Sequence, residues 1–330
     1  MDISVLIPTY RRAEDLRCCL DALDRQARPP ESVLVVVRPA DSESLGVLRE
    51  QPRRAYALRT VTVAEPGVVA ALNAGLAAAE SEVIAITDDD AAPRTHWLEG
   101  LERHFETNPG VGGVGGRDRV HEPVHRGNPP PPPGVPAARR RTVGKVRWYG
   151  RVVGNHHLGV GAPREVDLLK GANMSYRRAA LEGIDLDERL WGAGAQPHWE
   201  LGLAFAVRRR GWKLLYDPEV EVDHYRSQRF AGHRPGRQSP DALRNDVHNQ
   251  TYLLLRWLPW WQKSLALAYG LLVGTRNAPG VLLAGERLVR APDRRGTLGS
   301  FRVAVEGRLG AVATAIAARG DALGSRLRDA

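Results

Sequence analysis

The sequence predicts an α/β protein in which a mainly parallel central sheet is flanked by helices and followed by a helical C-terminal extension. Apolar segments in the first 116 residues are continuous rather than alternating, which is typical of parallel strands buried on both faces. Segments with apolar residues at helical spacing separate them. Beyond residue 240 the strand-like segments give way to helical patterns.

The first 116 residues alternate between the two kinds of element. Strands are predicted, in order, at residues 3–7, 33–37, 60–63 and 83–87. Helices are predicted at residues 12–26, where Leu16, Leu20 and Leu23 recur at helical spacing, and at the alanine-rich residues 68–79.

The pattern changes in the glycine-rich residues 110–116. A long loop is predicted from about Arg117 to Arg141, because five successive prolines at residues 129–133 exclude regular helix and central strand. Later strands are predicted at residues 164–169, 212–216 and 220–223, and helices at residues 177–182 and 200–210. We therefore expect one domain over residues 1–230, in halves 1–116 and 117–230, and a helical region over residues 240–330.

The charge balance favours an anionic partner, because the formal net charge is +9 at pH 7. Aromatic residues do not alternate with the basic ones and no nucleic-acid-binding motif is present, so nucleic acid is not expected. The cysteines, Cys18 and Cys19, are adjacent and cannot join distant segments, which fits a reducing compartment. Without a visible signal peptide, we expect a cytoplasmic protein.

Three consecutive aspartates, Asp88, Asp89 and Asp90, directly follow the apolar residues 83–86. The carboxyl end of a buried strand is where ligands bind in α/β folds. Adjacent carboxylates repel one another unless a cation joins them, and Mg²⁺ or Mn²⁺ takes oxygen ligands of this kind. The alternative is a solvated acidic turn.

Four segments in this order resemble the motifs of family 2 glycosyltransferases of GT-A fold. They are VLIPTYRR from Val5, ITDDD from Ile86 with the later Pro93, KGANMSYRR from Lys170, and RRGWKLLYDP from Arg209 with the later Val222-Asp223-His224. The ordered set covers residues 3–226. The resemblance implies a GT-A-like domain over residues 1–230, with a nucleotide-sugar-binding half at 1–116 and an acceptor-side half at 117–230. It also implies inverting transfer of a sugar from a nucleoside-diphosphate sugar to a hydroxyl group.

The resemblance assigns roles to the acidic cluster. Asp90 would be the principal ligand of Mg²⁺ or Mn²⁺, and His224 a second ligand or a diphosphate contact. Asp88 would contact the ribose or support the metal site, and Asp89 belongs to the same donor-binding set.

The donor pocket would be lined by the loop after the first strand and by the helix over residues 68–79. Its predicted residues are Pro8, Thr9, Tyr10, Arg12, Asp41 and Asn73. The sequence departs from the family at Arg38, where an aspartate often recognises the base, and Asp41 is the expected substitute. It departs again at Leu72, where an arginine often precedes Asn73. The donor therefore stays open among the UDP, dTDP and GDP types.

The acceptor side holds the predicted general base. The family's Glu–Asp pair aligns with Pro197-His198, which leaves Glu200 and His198 as candidates and Asp185 or Asp187 as the fallback. The predicted acceptor-binding residues are Gly171, Ala172, Asn173 and Trp199.

The C-terminal apolar runs, at residues 252–261 and 265–273, are shorter than the roughly 20 residues that span a bilayer. Either they pack on the protein, or their tryptophans and flanking arginines lie on the anionic inner face of a membrane. The second alternative suits a lipid-linked acceptor as well as a glycan.

Two other functions stay open. The departures at Arg38, Leu72 and Pro197-His198 would also fit a non-catalytic, membrane-associated assembly protein that binds nucleotide or glycan. A sugar-phosphate nucleotidyltransferase would share the sheet and the metal site, but it usually carries glycine in the first loop, and residues 8–12 contain none.

Overall fold

The computed structural model describes residues 1–50, 53–121, 142–225, 239–290 and 293–328, with side chains described as far as residue 321. The strands are β1 (Ile3–Pro8), β2 (Ser32–Val37), β3 (Ala57–Thr62), β4 (Val83–Ile86), β5 (Ala91–Pro93), β6 (Val111–His121), β7 (Lys145–Val146), β8 (Val152–Val153), β9 (Arg164–Val166), β10 (Met174–Arg177) and β11 (Lys213–Tyr225). The helices are α1 (Ala13–Asp24), α2 (Ser42–Arg49), α3 (Val68–Ala78), α4 (Trp97–Thr107), α5 (Arg178–Leu181), α6 (Trp199–Arg209), α7 (Pro240–Trp257), α8 (Trp260–Leu272), α9 (Val281–Arg290) and α10 (Arg294–Arg328).

The chain forms two compact units. The first comprises Met1–Lys145, Val153–Leu186 and Leu203–Gln228, and the second Val146–Val152, Asp187–Gly202 and Arg229–Ala330. Residues 187–202, which the sequence placed in the catalytic domain, thus cluster with the second unit.

A large sheet in the order β3-β2-β1-β4-β10-β6-β11-β5 forms the first unit, with β9 also paired to β11. Strands β3, β2, β1 and β4 run parallel, as do β6 and β11. Strand β10 lies antiparallel between β4 and β6, and β5 and β9 pair antiparallel with β11. The predicted fold class, α/β with a mostly parallel central sheet, is confirmed.

Helices cover both faces of β1, β2 and β4, which explains their continuous apolar sequences, whereas the edge strand β3 is largely exposed. On one face, the α1 side chains Leu16, Leu20 and Leu23 join a core cluster that includes Val5 and Val33. On the other face α3 approaches so closely that a Cβ on its Gly75 would lie 2.3 Å from Cδ1 of Leu6. Because successive side chains of a strand point to opposite faces, strands covered in this way contain apolar residues at every position.

The prediction of a loop from Arg117 is wrong for residues 117–121. Residues 111–121 form the central strand β6, which was not predicted because glycine has a low strand propensity. Neighbouring residues approach these glycines too closely to leave room for a side chain. A Cβ on Gly116 would lie 1.7 Å from the carbonyl oxygen of Val220, and one on Gly113 would lie 2.8 Å from the ring of Tyr176. The rest of that loop, including prolines 129–133 and arginines 139–141, lies outside the described residues.

Further elements also differ from the expectation, and α4, β5 and β10 were not predicted. The strands predicted at residues 212–216 and 220–223 are one strand, β11, with a register irregularity between Asp217 and Glu221. Helix α2 was not predicted. It begins after Asp41, whose carboxylate accepts a hydrogen bond from the backbone N–H of Ser44.

Helices α7 to α10 make up most of the second unit, as the C-terminal pattern predicted. Helix α7 starts at a conventional cap, with Ser239 accepting from the backbone N–H of Ala242 and Pro240 in the first turn. Among the described residues, no helix combines the length and apolar character that crossing a bilayer requires.

Candidate functional site

The acidic cluster follows β4, and the short strand β5 comes directly after it. Strand β5 pairs antiparallel with β11 in a register that sets Ala91 opposite His224. The backbone N–H of Tyr225 donates to the carbonyl oxygen of Asp90 at 2.8 Å, which fixes the two segments side by side. As a result Nε2 of His224 lies 3.3 Å from Oδ1 of Asp90.

Asp88, Asp90 and His224 form a possible metal-binding group. One ligand atom from each lies within 4.8 Å of the others. Two carboxylate oxygens and one imidazole nitrogen are donors that Mn²⁺ accepts readily and Mg²⁺ accepts through the oxygens. Nδ1 of His224 is buried and makes no hydrogen bond to the described residues, so the ring's other nitrogen carries its polar contact. The residues present therefore fit a divalent cation.

Electrostatics in this group favour a positive charge. Burial alone would lower the pKa of His224, but the hydrogen bond to Asp90 and the charges of Asp88, Asp90 and Asp118 outweigh it, and the pKa lies above its usual value. Metal ligation requires the neutral imidazole. A divalent cation would therefore take over the charge compensation that the imidazolium supplies without it.

Asp89, the middle carboxylate, turns away from His224 toward the loop after β1. Its Oδ2 accepts from Oγ1 of Thr9 at 2.8 Å, and its Oδ1 lies 2.9 Å from Nη1 of Arg12. The same Arg12 nitrogen lies 3.2 Å from Oδ2 of Asp90. Burial raises the pKa of Asp89 to about 7, with Arg12 opposing the rise. Three predicted donor-binding residues, Thr9, Arg12 and Asp89, thus bind one another.

The ring of Tyr10 is flanked by two arginines. The guanidinium carbons of Arg11 and Arg38 lie 5.2 Å and 5.1 Å from its centroid. Arg38 is the residue that stands where the family often has its base-recognising aspartate. Asp41, the expected substitute, is buried and accepts from the backbone N–H groups of Arg11 and Ser44, so its carboxylate shapes the loop and caps α2.

Asn73, also predicted in the donor pocket, bonds reciprocally to one backbone unit. Its Nδ2 donates to the carbonyl oxygen of Leu186 at 3.1 Å, and its Oδ1 accepts from the N–H of the same residue at 2.9 Å. This amide therefore tethers α3 to the segment at Leu186.

The predicted acceptor segment, Gly171, Ala172 and Asn173, is a buried turn directly before β10. Asn173 is 1% exposed; its Oδ1 accepts from Nε1 of Trp97 at 2.9 Å and its Nδ2 donates to the carbonyl oxygen of Val220 at 2.8 Å. The carbonyl oxygen of Ala172 accepts from Oγ1 of Thr87, the residue before the acidic cluster. These contacts hold the strands that carry the metal-binding group.

A buried charge that was not predicted from the sequence lies beside the group of Asp88, Asp90 and His224. Asp118, on β6, is fully buried, and its Oδ2 lies 2.8 Å from Nζ of Lys170. Burial would raise the pKa of Asp118, but the charges of Lys170, His224 and His156 lower it below the usual value. Asp118 was not recognised as a candidate site residue because residues 117–119 were predicted to lie in a loop. The strand register, which sets Asp118 opposite Val222, brings it close to His224.

The two candidate bases lie in the second unit. His198 has a positive φ of 70°, and its Nε2 lies 3.1 Å from Oδ1 of Asp246 on α7. Glu200 is in the first turn of α6, and Trp199 is 6% exposed. The fallback residue Asp187 accepts from the hydroxyl of Tyr252 at 2.5 Å and pairs with Arg256, while Asp185 is exposed.

Comparison with known proteins gives concordant results. Residues 1–235 match the family described as "Glycosyltransferase like family 2". The curated protein "Glycosyltransferase AglE" of Haloferax volcanii is 29% identical over 113 residues, which is 33% of this chain. The match spans 36% of that relative's length.

Similar solved structures were also found. The crystal structure of S. aureus TarS 1-349 in complex with UDP-GlcNAc is similar with a TM-score of 0.57 and 15% identity, over 96% of this chain and 89% of that one. The mannosyltransferase PcManGT from Pyrobaculum calidifontis, in complex with GDP-Man and Mn²⁺, is similar with a TM-score of 0.51 and 20% identity, over 94% and 86%. At these identities the likeness shows the fold.

Proposed function

This chain belongs to glycosyltransferase-like family 2, and from that premise we propose that it is a metal-dependent, inverting glycosyltransferase. It would move a sugar from a nucleoside-diphosphate sugar to a hydroxyl of a glycan or lipid-linked acceptor. The family resemblance inferred from four ordered segments is thereby confirmed, and with it the enzyme class at the level of the family. The observation that carries the proposal is the convergence of Asp88, Asp90 and His224 at the end of β4.

Asp88, Asp90 and His224 would hold Mg²⁺ or Mn²⁺. When bound, such a cation offsets the negative charge that develops on the departing nucleoside diphosphate. Two structural neighbours support this assignment, because PcManGT was solved with GDP-Man and Mn²⁺ and GalNAc-T7 with UDP, GalNAc and Mn²⁺. Lys170 pairs with the buried carboxylate of Asp118, whose charge acts on His224.

The loop after β1 would receive the nucleoside. It lies at the carboxyl ends of β1 and β2, and the internal bonds of Thr9, Arg12 and Asp89 give it one conformation. Tyr10, with Arg38 against its ring, supplies an aromatic face and a cation in place of the family's usual aspartate. We therefore expect the base to be held by stacking and by donated hydrogen bonds rather than by a carboxylate.

Transfer with inversion needs a single displacement. The acceptor oxygen forms a bond to the anomeric carbon while the bond from that carbon to the diphosphate oxygen breaks, and the hydroxyl proton passes to a base. His198 and Glu200 are the proposed bases.

A peripheral contact with an anionic membrane is part of the proposal. We call residues 260–290, which comprise α8, α9 and the turn between them, the apolar hairpin. Within the described residues, nine exposed large apolar side chains belong to it: Trp260, Trp261, Leu265, Leu271, Leu272, Val273, Val281, Leu282 and Val289. It contains one acid, Glu286, and four cations: Lys263, Arg276, Arg287 and Arg290. Apolar residues with a positive balance suit the interface of an anionic bilayer and favour a lipid-linked acceptor.

The test is a thermal-shift screen with the diphosphates of uridine, thymidine, guanosine and cytidine, each with and without Mn²⁺. A ligand that binds only the native state must raise its apparent stability. We expect one nucleotide to stabilise the protein in a metal-dependent way, and the matching sugar nucleotides to release nucleoside diphosphate on incubation. Binding without release from any donor would favour the non-catalytic alternative, and the absence of any metal-dependent shift would contradict the proposal.

A further inference from the structure

The segment that replaces the family's Glu–Asp pair has an unusual backbone. Gln196 and His198 have positive φ values of 37° and 70°, although neither is glycine. Residues other than glycine rarely adopt this backbone conformation, and where one does, the surrounding structure must hold it in place. The contacts that hold it are therefore informative about what the segment does.

Helix α7 supplies those contacts from one face. Asn249 is fully buried; its Nδ2 donates to the carbonyl oxygens of Trp191 at 2.9 Å and Pro197 at 3.0 Å, and its Oδ1 accepts from the N–H of Trp191 at 2.7 Å. Asp246 lies three residues earlier, on the same side of the helix. Its Oδ1 lies 3.1 Å from Nε2 of His198. One helix face thus fixes the backbone at Pro197 and the imidazole of the next residue.

The other end of the segment is fixed as well. The ring of Trp191 stacks on His248 with centroids 3.7 Å apart and an interplanar angle of 7°. The side-chain amide of Gln196 donates to the carbonyl oxygen of Leu190 at 3.1 Å. Residues 190–198 are therefore held at both ends, and the imidazole of His198 has a defined orientation.

We propose that Asp246 is a positioning residue for His198, and that this pair, rather than Glu200, receives the proton of the acceptor hydroxyl. The proposal rests on the proposed function. A histidine that donates its Nε2–H to a carboxylate keeps Nδ1 as the acceptor, so Asp246 selects the tautomer with a free lone pair. As the acceptor oxygen bonds to the anomeric carbon and the diphosphate leaves, the hydroxyl proton moves to Nδ1. The negative charge of Asp246 then stabilises the imidazolium.

The charges around His198 agree with this assignment. Burial would lower its pKa, but the hydrogen bond and charge of Asp246 on α7 and the charge of Glu200 on α6 raise it above the usual value. Glu200 has a separate structural role, because a carboxylate in the first turn of α6 interacts favourably with the helix N-terminus. Both acids therefore stabilise the imidazolium form of His198.

A first experiment needs no substrate. Histidine labelled with ¹³C allows the imidazole of His198 to be titrated by NMR in the full chain, with His198→Gln identifying its signal. We expect Asp246→Asn to lower the pKa of His198, because the variant loses the charge that stabilises the imidazolium. Asp241→Asn is the matched control, since it removes the same charge from an exposed position of the same helix. An unchanged pKa in Asp246→Asn would overturn the pairing.

A second experiment measures the reaction, as the pH dependence of nucleoside-diphosphate release from the most active donor of the panel. We expect His198→Gln to lose about 100-fold or more in kcat/KM, which is the typical contribution of a general base. In Asp246→Asn the acidic limb of the profile should move to lower pH and the plateau should fall. In Asp241→Asn the acidic limb and the plateau should match those of the wild-type protein. Full activity in His198→Gln, or a pH profile of Asp246→Asn identical to that of the wild-type protein, would overturn the proposal. A wild-type protein that is inactive with every donor would contradict the proposed function, while the NMR titration would still decide the role of Asp246.

Discussion

Nε2 of His224 lies 3.3 Å from Oδ1 of Asp90, although the two residues belong to segments that are far apart in the sequence. The distance depends on the pairing of β5 with β11, which sets Ala91 opposite His224. The short strand β5 therefore has a specific consequence: it brings an imidazole to the carboxylates that end β4.

Replacing Asp90 with asparagine should remove metal-dependent stabilisation. The substitution keeps the size of the side chain but removes one charged ligand of the group formed with Asp88 and His224. In the wild-type protein, Mn²⁺ at a hundred times its Kd should add about 2.7 kcal/mol to the free energy of unfolding. We expect Asp90→Asn to lose most of this gain in a thermal-shift titration, and the exposed control Glu80→Gln to retain it. Equal Mn²⁺ responses in the two variants would contradict the assignment.

Replacing Arg12 with methionine should destabilise the protein and make it more dependent on metal. The change leaves the buried carboxylates of Asp89 and Asp90 without their shared cation, and removing one partner of a buried ion pair costs roughly 3 kcal/mol. Arg17→Met, on the solvent side of α1, which begins directly after Arg12, is the control and should change stability by less than about 0.5 kcal/mol. Denaturant unfolding with and without Mn²⁺ measures both effects. We expect Mn²⁺ to recover part of the loss in Arg12→Met; a loss no larger than that of the control would count against the contact.

The apolar hairpin should bind anionic vesicles. We expect the protein to sediment with vesicles rich in phosphatidylserine but not with pure phosphatidylcholine, and to be released by salt because the cations of the hairpin contribute. The double variant Trp260→Ser/Leu282→Ser should lose this binding. Leu309→Ser/Ile316→Ser, which removes two exposed apolar side chains of α10, should keep it.

Another occupant of the hairpin would give a different result. If a second copy of the chain covered it, the wild-type protein would form a concentration-dependent dimer in sedimentation velocity and Trp260→Ser/Leu282→Ser would be monomeric. Dimerisation of this kind without vesicle binding would refute the membrane contact.

Acid should destabilise the first unit partly through Asp217. Its Oδ2 lies 2.6 Å from Nε2 of His104, and although burial would raise the pKa of Asp217, this hydrogen bond and others lower it below the usual value. A carboxylate whose pKa is lower in the folded state contributes stability above its unfolded pKa, and that contribution is lost as pH falls through the folded pKa. We expect Asp217→Asn to lower the melting temperature near neutral pH, and the difference from wild type to shrink below about pH 4. A difference that is constant with pH would exclude an electrostatic origin.

Local sequence signals were sufficient to predict a strand or helix where that element buries an unbroken run of apolar residues. Strands β1, β2 and β4 and helices α1 and α3 fall within a few residues of their predicted bounds for this reason. Strand β6 was assigned to a loop because its glycines carry no strand signal. They are needed by contacts with Val220 and Tyr176, which come from distant parts of the chain.

The candidate functional site could likewise be predicted only in part from the sequence. The family resemblance named Asp90 and His224, and the structure brings them together with Asp88. The resemblance could not show that Asp89 forms hydrogen bonds with Thr9 and Arg12, or that the side-chain amide of Asn173 forms hydrogen bonds with Trp97 and Val220. Residue type alone does not reveal the direction of a side chain. Asp118 and Asp246 were missed because their partners, Lys170 and His198, are neighbours only after folding.

The pairing of β5 with β11 also determines when the proposed metal-binding group can first form. During synthesis the ribosome releases Asp88 and Asp90 well before His224, so a growing chain passes through a stage with two carboxylate ligands and no imidazole. Oxygen ligands alone suit Mg²⁺ and Ca²⁺ as well as Mn²⁺, and the nitrogen ligand shifts the preference toward transition metals. If the group binds a metal ion as proposed, its preference would be acquired late, when β11 takes its place in the sheet, and a chain that ends before that strand would differ in metal selectivity from one that contains it.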